Sequence, residues 1–351
     1  MNASRSSRAP FSIGGISVEA GKRASVHLPL SVLSNSTPVG VPVHVVHGRQ
    51  DGPTMFVSAA IHGDEVVGVE IVRRLLTSKV LNGIAGTALM VPIVNAFGFI
   101  SHSRYLPDRR DLNRSFPGSA NGSLAAQLAH MFMTEIVARS DYGIDLHTAA
   151  INRSNLPQIR VDTEDEPARA LAEAFGSPII LHSPLRPGSL RESASNVGVP
   201  VVVYECGEAL RFDELSIRIG IKGVLRAMAS LDMLPRRKRS PQAAAPVFSH
   251  GSRWLRAPEG GIFRARRTLG HRVQEDELLG IISDPFGQTQ SEVRAMMSGL
   301  IIGRTNVPAV NQGDALFHIA SLDNASAVQR EYGRLERQMD EERLLDEDEI
   351  L

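Results

Sequence analysis

Apolar positions in this chain gather into short runs typical of strands, and between them the pattern shifts to a period near 3.6 that marks helices. The sharpest change falls at residue 62. Residues 54–61 are almost wholly apolar and too short for an amphipathic helix, which predicts a buried strand, and Gly63 predicts the turn that ends it. From Glu65 to about residue 79, Val66, Val69, Ile71, Val72, Leu75 and Leu76 keep helical spacing, which places Glu65 in the first turn of a helix. Residues 41–48 read as an earlier strand before a turn at 50–53, and residues 87–94 as another buried run ending at Asn95. A polar stretch through residues 111–118 is too long to be mere connection. Helical spacing returns over 123–139, and strand signals follow at 142–147, 158–161, 178–181 and 200–204 before an apolar helix over 217–231. Strands alternating with helices predict an α/β domain built on a mostly parallel sheet flanked by helices.

The pattern breaks after residue 234. Residues 235–246 form a basic, proline-bounded stretch that reads as a solvated linker, separating an enzyme-sized domain over 1–234 from a smaller C-terminal part. Within 1–234, the first 10 residues read as a disordered lead. Over 247–322, Gly260-Gly261, Gly270, Gly280, Gly299 and Gly313 punctuate short strands, the spacing of a small all-β module. Residues 323–351 read as an acidic helical tail.

Composition narrows the function. The charge balances, with 38 basic against 38 acidic residues, so neither nucleic acid nor an anionic membrane is expected as partner. No apolar stretch is long enough to span a membrane, and the N-terminus lacks the apolar segment of a secretory signal, which predicts a cytoplasmic protein. Cys206 is the only cysteine, so any metal site must use histidine and carboxylate. As a thiol with no group evident to acidify it, Cys206 reads as a buried small residue.

His62, Asn95, His147 and Glu205 each stand where an apolar run stops, and open α/β sheets bind ligands beyond the carboxyl ends of their strands. His-x-x-Glu alone is a weak signal, because it recurs by chance in soluble proteins. Placement at one sheet edge strengthens it. A zinc hydrolase needs three protein ligands, a carboxylate to take a proton from water, and a cation for the developing oxyanion. His62, Glu65 and His147 are the candidate ligands for one zinc per chain, Glu205 is the candidate base, and an arginine of the 104–114 segment is the candidate cation. Asp111 and Asp145 are candidates to orient a ligand histidine. The other histidines, His102 near the arginine segment included, read as structural.

His62-Gly63-Asp64-Glu65, Asp111-Leu112-Asn113-Arg114-Ser115-Phe116-Pro117-Gly118, Asp145-Leu146-His147 and Glu205 together resemble the succinylglutamate desuccinylase/aspartoacylase family of zinc amidohydrolases, relatives of the zinc carboxypeptidases. The resemblance covers about residues 40–235. It implies a carboxypeptidase-like mixed sheet, zinc on His62, Glu65 and His147, and Glu205 as general base and acid. It further implies that Asn113 and Arg114 grip a substrate carboxylate and that Arg104, with Arg109 and Arg110 nearby, is the oxyanion arginine. Residues 247–322 are similar to the biotinyl/lipoyl-type barrel-sandwich that some members append. The last lysine is Lys238, so that module has no amine on which to carry either cofactor. The expected activity is zinc-dependent hydrolysis of the amide of a small N-acyl amino acid or related carboxylate-bearing molecule. The alternatives are a carboxypeptidase acting on short or glutamate-rich peptides, and a binding protein with a vestigial zinc site. The sequence leaves room for a homo-oligomer.

Overall fold

The computed structural model describes residues 8–234, 246–322 and 324–341. Residues 1–7 of the expected disordered lead lie outside them, as do all but the last residue of the expected linker and the end of the acidic tail, while Arg8 donates to the Gly86 carbonyl at 2.7 Å, so the lead is shorter than expected. A hairpin of β1 (Phe11–Ile13) and β2 (Ile16–Val18) precedes β3 (Arg23–Val32), β4 (Pro38–His47), β5 (Gln50–Ala59), α1 (Val67–Thr77), β6 (Ala85–Val91), α2 (Ala96–Ser101) and α3 (Leu124–Glu135). Then come β7 (Tyr142–Ala149), β8 (Arg153–Val161), α4 (Glu166–Phe175), β9 (Ile179–His182), α5 (Leu190–Ser195), β10 (Val201–Glu208) and α6 (Glu214–Ser230). The C-terminal part is β11 (Val247–Arg256), β12 (Gly261–Ala265), β13 (Arg272–Val273), β14 (Leu278–Ser283), β15 (Gln290–Arg294), β16 (Gly299–Thr305), β17 (Ala309–Val310) and β18 (Ala315–Leu322), with α7 (Ala325–Glu341) after it.

A twelve-stranded sheet in the order β13-β16-β18-β11-β9-β8-β10-β7-β5-β6-β4-β3 runs through the molecule. Parallel pairing holds β10-β7-β5-β6 together and joins β8, β9 and β11; the remaining neighbours are antiparallel. The sheet is therefore mixed, as the family resemblance implied, with fewer parallel pairs than the alternation of strands and helices predicted. Its antiparallel edge strand β3 and the helices α2, α4 and α5 escaped the sequence reading, although β3 alternates apolar positions at Ala24, Val26, Leu28, Leu30 and Val32 and α4 buries one face through Ala168, Leu171, Ala172 and Phe175.

Both faces of the central strands are covered, and the alternation of β5 shows how. Met55, Val57 and Ala59 pack with Ile71 and Leu75 of α1, Phe175 of α4 and Val224 and Met228 of α6. Phe56 points the other way, into a second core with Leu128 and Phe132 of α3 and Ile13 of the first hairpin. Continuous apolar runs are what strands buried on both faces require. Residues 247–322 add strands to the end of this sheet and a separate four-stranded sheet, β15-β14-β12-β17. Phe263, Leu279, Ile282, Val293, Leu316 and Phe317 belong to the core this part encloses. Among the described residues no helix is long and apolar enough to cross a membrane.

Candidate active site

Three adjacent parallel strands, β5, β7 and β10, deliver the central groups at their carboxyl ends. The chain leaves β5 at Ala59 and turns through His62-Gly63-Asp64-Glu65, closed by the Glu65 N–H donating to the His62 carbonyl at 3.1 Å. Gly63 is demanded by space, because a Cβ there would lie 2.0 Å from the backbone of Gly98 in α2. The helix begins at Val67, so Glu65 stands two residues ahead of it rather than in its first turn. Its side chain is taken up by the site. Glu65 Oε1 lies 2.7 Å from His62 Nδ1, Oε2 lies 2.7 Å from His147 Nδ1, and the Thr148 N–H donates to Oε2 at 3.1 Å.

His62, Glu65 and His147 are all buried, and their ligand atoms lie within 4.8 Å of one another. Each imidazole is held from behind. His62 Nε2 lies 3.1 Å from Asp111 Oδ1, and His147 Nε2 lies 2.6 Å from Asp145 Oδ2, whose other oxygen accepts from the Ser58 hydroxyl at 2.8 Å. This leaves both Nδ1 atoms turned toward Glu65. Two nitrogens and a carboxylate, with carboxylates fixing the far side of each ring, match the donor set and the supporting shell of a zinc site, and the residues fit that metal. Burial opposes charge on Glu65, but the two imidazoles outweigh it and hold the carboxyl below its usual range. Burial likewise opposes the Asp111 charge, and His62 with Arg104 overcome it.

His62, Glu65, Asp145 and His147 line a cavity of about 260 Å³ together with Arg104, Asn113, Arg114 and Glu205. The candidate ligands, the candidate base, Arg104, Asn113 and Arg114 thus meet in one place. Arg104 donates to Asp111 Oδ2 at 2.9 and 3.2 Å and to Glu65 Oε1 at 3.2 Å, which singles it out from Arg109 and Arg110, neither of which lines the cavity. The Asn113 side-chain oxygen accepts from the Leu190 N–H at 2.9 Å, and Arg114 bonds the Asn113 carbonyl. Glu205 pairs in register with His147 across β10 and β7. Its Oε2 accepts from Asn155 Nδ2 at 2.9 Å, and its Oε1 lies 3.5 Å from Arg160 Nε.

Asn95 departs from expectation. Its side chain caps α2 by accepting from the Gly98 N–H at 2.8 Å, and it does not line the cavity. His102 ends the same helix in a left-handed conformation and is also absent from the lining. Cys206 is fully buried, and burial pushes its thiol far above the usual range, as a packing residue requires.

The Succinylglutamate desuccinylase/Aspartoacylase catalytic-domain model matches residues 51–231. The chain belongs to that family. The N-alpha-acetyl-L-2,4-diaminobutyric acid deacetylase of Halomonas elongata is 27% identical over 296 residues, 81% of this chain and 86% of that protein. A succinylglutamate desuccinylase of Burkholderia cenocepacia is 28% identical over 179 residues, 46% of this chain and 51% of its own. Among solved structures, the product-bound ectoine utilization protein EutE (DoeB) from Ruegeria pomeroyi superposes with a TM-score of 0.78 at 23% identity, covering 90% of this chain and 99% of that one. A succinylglutamate desuccinylase/aspartoacylase from Rhodobacter sphaeroides gives 0.76 at 24% identity, covering 86% and 96%. At these identities the two structures speak for a shared fold.

For this family member, the sequence reading missed the rest of the wall. Arg153, Arg160, Arg186 and Arg191 line the cavity, and so does Trp254 from β11 of the C-terminal part. Trp254 stacks on His318 with ring centres 4.7 Å apart, and the Arg153 guanidinium lies over it at 5.5 Å. Arg191 is only 9% exposed, and burial lowers its guanidinium to about 10. It donates to Ser183 Oγ and the Pro184 carbonyl, while its second amino group has no partner among the described residues. Isolated arginines scattered over β8, α5 and the connection before it carry no motif, and only an excess of guanidinium between residues 153 and 191 could have pointed to them.

Proposed function

We propose that this chain is a zinc-dependent deacylase that hydrolyses the amide bond of a small N-acyl amino acid. The convergence of His62, Glu65 and His147 beside Glu205 in one arginine-walled cavity carries the reading. Zinc, when bound, supplies a Lewis acid for the amide carbonyl and acidifies water. Glu205 takes the proton of the attacking water and returns it to the departing amine nitrogen. Arg104, fixed by Asp111 and Glu65, offers its remaining N–H to the oxyanion. Asn113 and Arg114 bind a carboxylate of the substrate, for which a guanidinium fork is suited. Arg153, Arg160, Arg186 and Arg191 support the same anionic substrate class, because among the described residues Arg191 has no carboxylate partner of its own.

The same reading takes the mixed sheet as a relative of the zinc carboxypeptidase sheet. It places a catalytic domain over 1–234 and an all-β module over 247–322, acting in the cytoplasm. Glu205→Gln tests it. This change keeps the shape and removes the base, so turnover on a panel of N-acyl amino acids should fall by about two orders of magnitude while zinc stays bound. Turnover near wild type would exclude Glu205 as the base, and faster cleavage of short peptides than of N-acyl amino acids would favour the peptidase.

A further inference from the structure

Glu205 is held by a residue that is itself held by the C-terminal strands. Asn155, only 6% exposed, sits on β8 between two neighbours: Gly207 of β10 lies opposite it on one side and Gly303 of β16 on the other. Its amide donates to Glu205 Oε2 at 2.9 Å. A neutral donor fixes the carboxylate's orientation without neutralising it, which is what a base that must accept a proton needs.

Gly303 stands directly behind that amide. A Cβ at position 303 would lie 3.0 Å from Asn155 Oδ1, 3.1 Å from His318 Cβ and 3.4 Å from the Trp254 ring. Any side chain there presses on the amide and on the aromatic wall together. The next residues of the chain fasten the same junction. Asn306 Nδ2 donates to Ser154 Oγ at 2.7 Å and to Glu208 Oε2 at 2.9 Å, and the Asn306 N–H donates to the Asn152 carbonyl at 2.8 Å. Residues 303–306 thus grip β8 and the loop before it on one side, and the end of β10 on the other.

We infer that Asn155 is a positioning residue for Glu205, and that Gly303, contributed by the C-terminal strands, is the seat that keeps the Asn155 amide in place. The inference rests on Glu205 being the base, so the test begins there. Full-length protein is assayed on N-succinyl-L-glutamate, N-acetyl-L-aspartate and Nα-acetyl-L-2,4-diaminobutyrate, and the fastest of these is used throughout. An active Glu205→Gln protein would defeat the proposed function itself, whatever Asn155 does. With Glu205→Gln inactive, Asn155→Ala should lower kcat about tenfold or more, with KM, bound zinc and melting temperature close to wild type. Gly303→Ala should also lower kcat, but much less in the Asn155→Ala background, because its effect passes through that amide. A kcat for Asn155→Ala within about twofold of wild type overturns the inference, as does an equal Gly303→Ala loss in both backgrounds. Crystal structures of the two variants give a reading independent of turnover: a displaced Glu205 carboxylate supports the inference, and an unmoved one overturns it.

Discussion

On the ligand side of the cavity each histidine ring is bonded at both nitrogens, whereas on the arginine side Arg191 is buried with one amino group unbonded among the described residues. The first arrangement is complete in itself: Asp111, Asp145 and Ser58 hold imidazoles that hold Glu65. The second costs desolvation that the charges of Asp162 and Glu205 offset only in part, and a bound anion would offset more of it. On the proposed reading, one side keeps a cation and the other receives an anion.

The largest effect expected from breaking this contrast is on the ligand side. His147→Ala should abolish tight zinc binding and reduce turnover by about three orders of magnitude or more, read by metal analysis and assay. Full metal occupancy in that variant would mean the ligands are misassigned. Asp145→Asn leaves the ring in place but weakens what orients it, so zinc affinity should fall about 10- to 100-fold in a chelator competition. An unchanged affinity would reduce Asp145 to a packing role.

The arginine side predicts effects of the opposite character. Arg191→Met should raise KM about tenfold on an acidic substrate, yet leave the melting temperature unchanged or higher, since a buried charge whose desolvation is only partly offset is removed. A large fall in melting temperature with KM unmoved would turn that wall into ordinary scaffolding.

The smallest expected effect lies outside both sides. Glu70 of α1 accepts from Arg73 and Arg74, and Arg74 also bonds Glu214 of α6. Burial raises the Glu70 carboxyl, but the arginines outweigh it and bring it below its usual 4.5. A carboxyl with a depressed folded pKa adds stability above its unfolded value and loses it as pH falls through the folded one. Glu70→Gln should therefore cost about 1–2 kcal/mol at pH 7, with the gap to wild type closing below about pH 4.5 in denaturant titrations.

How far each side was legible depends on how it is encoded. His62, Glu65, His147 and Glu205 announce themselves because a strand's carboxyl end is visible as the stop of an apolar run, and Asp111-Leu112-Asn113-Arg114 is one contiguous motif. Asn95 shared that placement and proved to be a helix cap, since a strand end marks position and not the direction of a side chain. The start of α1 was misjudged by two residues because Glu65 has good helix propensity but is claimed by two imidazoles. Arg160, Arg191 and Trp254 come from separate elements, so only the folded sheet brings them together. The junction of β16 with β8 was equally invisible: sequence gives strands, but which distant strands become neighbours is decided by packing.

That junction sets an order of events during synthesis. The candidate metal ligands and the candidate base have all been made by residue 205, but Gly303, which lies opposite Asn155, arrives about a hundred residues later. Until then Leu156, Ile179 and Leu181 lack the cover of Leu300, Ile302 and Ala320, with which they share one apolar cluster. At roughly 5–20 residues per second the ribosome needs several seconds or more to bridge that gap. On the proposed reading, a nascent chain that has made its candidate zinc ligands spends that interval with these apolar residues uncovered, and Glu205 gains its positioned partner only once the C-terminal strands have docked.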